Sequence, residues 1–282
     1  TRRDYRNIFF TTPHLSDYVN GVILFEETAH QLADNGKSFT NFLISKHIIP
    51  GIKVDQGLAN IPSTSEKFTK GLDDLPARLF KYYQMGLRFA KWRAAFEVSF
   101  NEQGDLLTPS ILAIDKNCDI LSKYAKFCQS AHIVPIVEPE LVYDGDYDIS
   151  TSANLTSKIL EVLFSKLAEA EVDLSGCILK TNMVLAGKKY HTPSTPNEVG
   201  IYTANVLRQN VPPELAGIVF LSGGQSVESA TANLAAVIKS GPFPWPITFS
   251  FARALQDPAL FAWAGNNKNA DTARQAFLSR LI

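Results

Sequence analysis

The fold class this sequence predicts is α/β, a (β/α)8 barrel, and three observations predict it. Short apolar runs alternate with longer amphipathic segments from end to end, the pattern of repeated βα units around a parallel sheet. Several of these runs carry charged residues towards their carboxyl ends, where a barrel builds its chemistry. No glycine- or proline-rich linker and no low-complexity stretch divides the chain, so residues 1–282 read as one domain.

Seven strands can be counted: Gly21–Phe25, Gly51–Asp55, Phe89–Arg93, Ile133–Glu138, Cys177–Val184, Gly217–Leu221 and Ile247–Ser250. Seven is one short of a closed barrel. A helix-like segment, Arg2–Thr11, precedes the first strand, so the first βα unit is expected to be absent from this chain. An open doubly wound sheet would hold seven strands, but the chain lacks the GxGxxG turn of a dinucleotide-binding version.

The intervening segments carry helix signals. Asp74 and Pro76 open one helix, whose apolar positions Leu79, Phe80 and Tyr83 are followed by Gly86 as a C-cap. Thr108-Pro109 begins another, with Leu112, Leu121, Tyr124 and Phe127 inward and Asp115, Lys116, Lys123 and Lys126 outward. Further helices are predicted over Ser152–Ala170, Pro196–Arg208, Ser226–Lys239 and from Lys268 onward.

Composition narrows the partners. The 282 residues are 45% hydrophobic and 20% charged with a formal net charge of -1, so no overall field recruits nucleic acid or an anionic membrane, and a small ligand is expected. Cys118, Cys128 and Cys177 lie in apolar contexts without CxxC spacing, which suggests buried reduced thiols in a cytoplasmic protein. His14, His30, His47, His132 and His191 show no metal-ligand spacing and suit surface or capping roles. No run reaches membrane-spanning length, and the first residues lack the apolar segment of a signal peptide.

The chemistry is concentrated in the strands. Lys180 stands between Cys177, Ile178, Leu179 on one side and Met183, Val184 on the other, where a cation is costly without partners or a task. The bland alternative is a lysine that snorkels from a strand end. Residues two apart on a strand share a face, and Lys53 with Asp55, Lys91 with Arg93, and Glu138 with Glu140 all have that spacing. A single such pair would read as a salt bridge plugging the barrel. Several strands repeating the pattern point to an active site. A lysine made nucleophilic by burial and a second lysine, with a carboxylate to move protons, is equipped for Schiff-base catalysis, with Lys91 and Glu138 in those supporting roles.

Two later segments suggest an anionic substrate. Leu221-Ser-Gly-Gly-Gln-Ser226 follows a strand and opens a helix, so Ser222, Gly223 and Gly224 can bring backbone N–H groups to a phosphate. Ser250-Phe-Ala-Arg253 follows the last strand and adds a guanidinium. Alone, the two glycines would be an ordinary tight loop; with Arg253 and the lysines they indicate a phosphorylated carbonyl compound.

At this point the residues resemble a known family. The strings GVILFEET (21–28), GIKVD (51–55), FAKWR (89–93), VPIVEPE (134–140), LSGGQS (221–226) and RALQ (253–256), in that order, are similar to those of class I fructose-1,6-bisphosphate aldolase. The resemblance implies a (β/α)8 barrel that reversibly cleaves fructose 1,6-bisphosphate into dihydroxyacetone phosphate and glyceraldehyde 3-phosphate, in glycolysis and gluconeogenesis, without metal or cofactor. It implies Lys180 as the imine-forming residue, Glu138 as acid/base, Lys91 in carbinolamine chemistry, and Glu140 supporting the lysine pair. It further implies Lys53 and Arg93 at the distal phosphate, and Ser222, Gly223, Gly224, Ser250, Ala252 and Arg253 at the phosphate beside the ketone. Homotetramers and cytoskeletal partners are also implied.

Departures from the family pattern qualify this. Thr181 replaces a usual proline, and Phe251-Ala252 replaces tyrosine-glycine. The family's first strand, whose GxLAADES motif supplies the base for carbon–carbon cleavage, and its C-terminal tail have no counterpart in the chain. A catalytically impaired binding or scaffold protein, or another Schiff-base barrel aldolase, is the alternative.

Overall fold

The structure is a computed structural model and describes residues 2–282. All seven expected strands form, in one curled parallel sheet ordered along the chain: β1 (Gly21–Leu24), β2 (Ile49–Lys53), β3 (Phe89–Phe96), β4 (Val134–Leu141), β5 (Ile178–Thr181), β6 (Gly217–Phe220) and β7 (Ile247–Phe249). Ile52, Ala90, Trp92, Val137, Leu179 and Phe220 are buried, as expected of strands covered on both faces. Parallel neighbours require long crossovers, and helices supply them. Between the strands lie α2 (Glu26–His30), α3 (Phe39–Ser45), α4 (Leu75–Gln84), α5 (Ile111–Ser130), α6 (Ile149–Glu169), α7 (Pro196–Asn210) and α8 (Val227–Lys239), while α1 (Arg2–Phe10) precedes β1, and α9 (Arg253–Trp263) and α10 (Ala270–Leu278) follow β7.

The sheet does not close. Among the described residues β1 and β7 are its two edges and do not pair with each other, so the observed architecture is a seven-stranded half-barrel rather than the complete eight-stranded ring. The helical layer, by contrast, is continuous across that gap. Phe9 of α1 meets Phe277 of α10 edge-on at 4.6 Å, Tyr5 lies 5.7 Å from Trp263, and Arg274 donates to the Thr11 hydroxyl at 3.0 Å.

Several boundaries differ from expectation for local reasons. The strand expected over Cys177–Val184 stops at Thr181, because the Asn182 side chain takes over the pairing and accepts the Leu141 N–H at 2.9 Å. The helix expected from Thr108-Pro109 begins at Ile111, where Ser110 caps it by accepting the Ala113 N–H. Its inward stripe runs Ala113, Ile114, Asn117, Cys118, Leu121, Tyr124, Cys128. Leu112, one residue out of phase with that stripe, is 55% exposed rather than inward. The last helix starts at Ala270, and α9 and two small antiparallel hairpins (58–60 with 67–69, 99–100 with 106–108) had no sequence signal.

The amino-terminal floor of the sheet is filled by Phe89. A Cβ at Gly51 would lie 2.1 Å from the Phe89 ring, so this strand position must lack a side chain. With the floor packed, polar groups gather at the opposite, carboxyl-terminal end.

Candidate active site

Strand register brings the charges together. Lys53 lies directly opposite Lys91 in the β2–β3 ladder, and Arg93 opposite Glu138 in the β3–β4 ladder. Like charges facing each other across a ladder are unfavourable, and carboxylates resolve the conflict here. Asp55 lies 2.6 Å from Lys53 Nζ and 3.6 Å from Lys91 Nζ. Glu138 then bridges two lysines, with Oε2 2.8 Å from Lys91 Nζ and Oε1 3.0 Å from Lys180 Nζ. The chain of contacts is therefore Lys53, Asp55, Lys91, Glu138, Lys180.

Lys91, Glu138 and Lys180 are 7%, 3% and 8% exposed, which rules out the snorkelling alternative for Lys180. The strand order puts β4 between β3 and β5, and so places the Glu138 carboxylate between Lys91 and Lys180. Lys91 approaches Oε2 off the hydrogen-bonding direction, which leaves that oxygen without a hydrogen-bond donor. An acid group thus touches both amines and keeps an acceptor site free. An amine, a proton carrier and a second cation within contact distance can form and dehydrate a carbinolamine.

Glu140 is placed differently from the expectation that it supports the lysine pair. Its Oε2 accepts from Arg93 Nε at 2.5 Å, since side chains two residues apart on β4 reach different neighbours on β3. That carboxylate raises the Arg93 guanidinium pKa above its ordinary value, in spite of opposing burial. Asp55 was named in the sequence only as a partner of Lys53. The structure makes it the junction of β2 and β3, because it also accepts the Arg93 backbone N–H at 3.4 Å.

The anion-binding segments adjoin this cluster. Ser222 is buried at the end of β6, and Gln225 N–H closes a turn onto Ser222 C=O at 3.0 Å. Gly223 and Gly224 form the middle of that turn at φ 56 and 88, left-handed values that favour glycine. Ser226 then caps α8 through the Ser229 N–H. From the next unit, Ser250 continues the ladder by donating to Phe220 C=O at 2.8 Å, and Ala252 sits at the N-terminal cap of α9. Arg253 begins that helix and brings Nη2 to 3.4 Å from the position a Gly224 Cβ would take. Among the described residues Arg253 has no carboxylate partner within ion-pair distance. Of the twelve candidate residues, Lys91, Arg93 and Glu138 lie within β3 and β4, Glu140 and Lys180 one residue before their strands end, Lys53 at the end of β2, and the remaining six beyond the ends of β6 and β7.

Among the described residues no group of three His, Cys, Asp or Glu side chains could hold a metal ion, and no helix is long and apolar enough to cross a membrane. The five histidines are exposed, and His14, His47 and His132 occupy left-handed positions. The three cysteines are free and buried.

A parallel α/β scaffold with a lysine–carboxylate–lysine cluster buried on its sheet defines the class as an α/β-barrel-like protein built around a buried charge cluster. The family model for class-I fructose-bisphosphate aldolase, described as glycolytic, matches residues 1–281. The fructose-bisphosphate aldolase of Schistosoma mansoni is 45% identical over 280 residues, spanning 98% of this chain and 76% of its own length. A cytosolic Arabidopsis thaliana aldolase is 43% identical, spanning 99% of this chain and 70% of its own. A solved Plasmodium falciparum aldolase, in a ternary complex with TRAP and a small-molecule inhibitor, superimposes with a TM-score of 0.95 at 44% identity, covering 99% of this chain and 80% of that one. The chain belongs to the class-I fructose-bisphosphate aldolase family.

Proposed function

We propose that this aldolase cleaves fructose 1,6-bisphosphate through an imine on Lys180. The observation that carries the reading is the Glu138 carboxylate in contact with both Lys180 and Lys91. Lys180 gives a proton to the Glu138 carboxylate, its free amine attacks the ketone carbon, and the proton on the adduct nitrogen moves to the former carbonyl oxygen to give a neutral carbinolamine. Glu138 donates the proton with which that oxygen leaves as water, and the protonated imine remains. Breaking the adjacent carbon–carbon bond sends its electron pair into the imine to form an enamine, while the departing carbon's hydroxyl loses a proton and becomes the aldehyde of glyceraldehyde 3-phosphate. Protonation of the enamine and hydrolysis release dihydroxyacetone phosphate. Lys91 stabilises developing negative charge on the carbinolamine oxygen.

Substrate ends are divided between two sites. Arg93 and Lys53 hold the distal phosphate. The turn of Ser222, Gly223 and Gly224, with Ser250, the Ala252 backbone and Arg253, holds the phosphate beside the ketone. Glu140 fixes the Arg93 fork.

A closed (β/α)8 ring, with a leading strand between β7 and β1, would also supply the base for the departing hydroxyl. The two unpaired edges support this. We further propose a cytoplasmic homotetramer that contacts a cytoskeletal or other protein partner; the TRAP complex of the Plasmodium relative supports a protein-binding surface. The scaffold-only alternative is not favoured, given relatives named as aldolases at 45% identity.

The test is cleavage of fructose 1,6-bisphosphate in EDTA alongside Lys180→Met. Turnover that survives chelation and disappears in the variant is the expected result. Turnover retained in the variant, or lost on chelation, refutes the mechanism.

A further inference from the structure

We propose that Arg78 is a positioning residue for this site, acting through the end of β2. Its sequence signal is slight: Arg78 follows Asp74 by four residues in the first turns of α4 and reads as an ordinary exposed helix pair, which contributes little. The structure shows otherwise. The Arg78 side chain is only 11% exposed, and its three guanidinium nitrogens serve three acceptors. Nε donates to Asp74 Oδ1 at 2.8 Å, Nη1 to Val54 C=O at 2.9 Å, and Nη2 to Gly71 C=O at 2.5 Å.

The two carbonyls are what matter. Val54 stands between Lys53 and Asp55, one residue past the end of β2, and its own N–H donates to Lys91 C=O at 3.1 Å. Its carbonyl therefore lies beyond the β2 ladder and is held by Arg78. Gly71 belongs to a segment laid against Gln56: the Gln56 N–H donates to the neighbouring Lys70 C=O at 2.8 Å, and a Cβ on Gly71 would lie 3.1 Å from Gln56 N. Arg78 thus grips the 53–56 corner from both sides. The Asp55 carboxylate that leaves this corner contacts Lys53 and Lys91, and Lys91 contacts Glu138. A rotation of the Val54 peptide would move Lys53 and Asp55 together. Only a planar fork can hold all three acceptors at once; a lysine in its place can satisfy a part of them.

This inference rests on the roles given above to Lys180, Lys53 and Asp55, and the test separates the two. Borohydride trapping of the Lys180 adduct with fructose 1,6-bisphosphate gives two readouts: the endpoint at saturating ketose counts intact sites, and the rate at limiting ketose reports positioning. For Arg78→Met the endpoint is expected to stay at the parent value while the rate falls about tenfold, in line with the cost of sub-ångström misplacement. In a Lys53→Met, Asp55→Asn background the same substitution is expected to change the rate less than about threefold, because residues acting through one another are not additive. An unchanged rate in the parent, or an equal fall in both backgrounds, overturns the proposal. If Arg78→Met does not fold, Arg78→Lys is read in the same two backgrounds, and a rate equal to the parent's overturns it. A parent chain that traps no adduct on Lys180 refutes the imine reading itself, and the Arg78 proposal with it.

Discussion

Replacing Glu138 by glutamine keeps the side chain's volume and removes one charge from the centre of the site. The carboxylate is 3% exposed and lies 2.8 Å from Lys91 Nζ and 3.0 Å from Lys180 Nζ. At an effective dielectric constant near 20 each contact is worth about 6 kcal/mol before desolvation is subtracted. Measured losses on breaking a buried pair are about 3–5 kcal/mol, since the partner cations stay behind. Lys91 retains Asp55 at 3.6 Å, which places the expected loss near the lower figure, about 3 kcal/mol. At about 2 °C per kcal/mol for a chain of this size, calorimetry should show Glu138→Gln melting about 6 °C lower. The rate of imine trapping should fall further than stability does, by about 10² to 10⁴, because the proton carrier is lost. A variant that melts with the parent, or traps imine within a few-fold of its rate, would show that Glu138 neither compensates the lysines nor carries the proton.

Three further outcomes follow from single contacts. Arg253→Ala should weaken dihydroxyacetone phosphate binding by about 1.5–3 kcal/mol, the worth of a hydrogen bond to a charged group, with little change in melting temperature because Arg253 has no carboxylate partner; titration calorimetry reads both the affinity and its absence. Asp148 caps α6 by accepting the Thr151 N–H at 2.7 Å, and this bond holds its carboxyl below the ordinary 3.8. A folded pKa that is lowered stabilises above the unfolded value and is lost as pH falls through the folded one, so Asp148→Ala should cost about 1 kcal/mol at pH 7 and progressively nothing in acid. Burial pushes the Cys118 and Cys177 thiols up to about 12 and raises Cys128 as well, so iodoacetamide at pH 8 should label none of them before unfolding. Labelling of the native protein would contradict their burial.

What the sequence disclosed follows from periodicity. Strands of a parallel sheet covered by helices are written as short apolar runs, so β1 to β7 were all legible even though the edges β1 and β7 are only partly buried, and the two-residue spacing of Lys53/Asp55, Lys91/Arg93 and Glu138/Glu140 marked one face in advance. Which neighbour each charge meets was not legible, because register and reach across a ladder are tertiary facts. Glu140 meets Arg93 rather than a lysine, and Glu138 bridges Lys91 and Lys180 through its two oxygens. Leu112 was misplaced because it is apolar but lies one residue ahead of Ala113 in the first turn, outside the stripe that carries Leu121 and Tyr124 inward as expected. Short elements such as α2, α3 and the two hairpins span too few residues for any period to show. Arg78 was hidden for a different reason: its role is to hold backbone carbonyls, which carry no sequence.

The imine on Lys180 is tested most directly by mass spectrometry of the borohydride-reduced complex with dihydroxyacetone phosphate. A single adduct is expected on the peptide containing Lys180, lost in Lys180→Met and formed equally well in EDTA. An adduct on Lys53 or Lys91 instead, or none at all in a protein that still cleaves the ketose, would contradict the account.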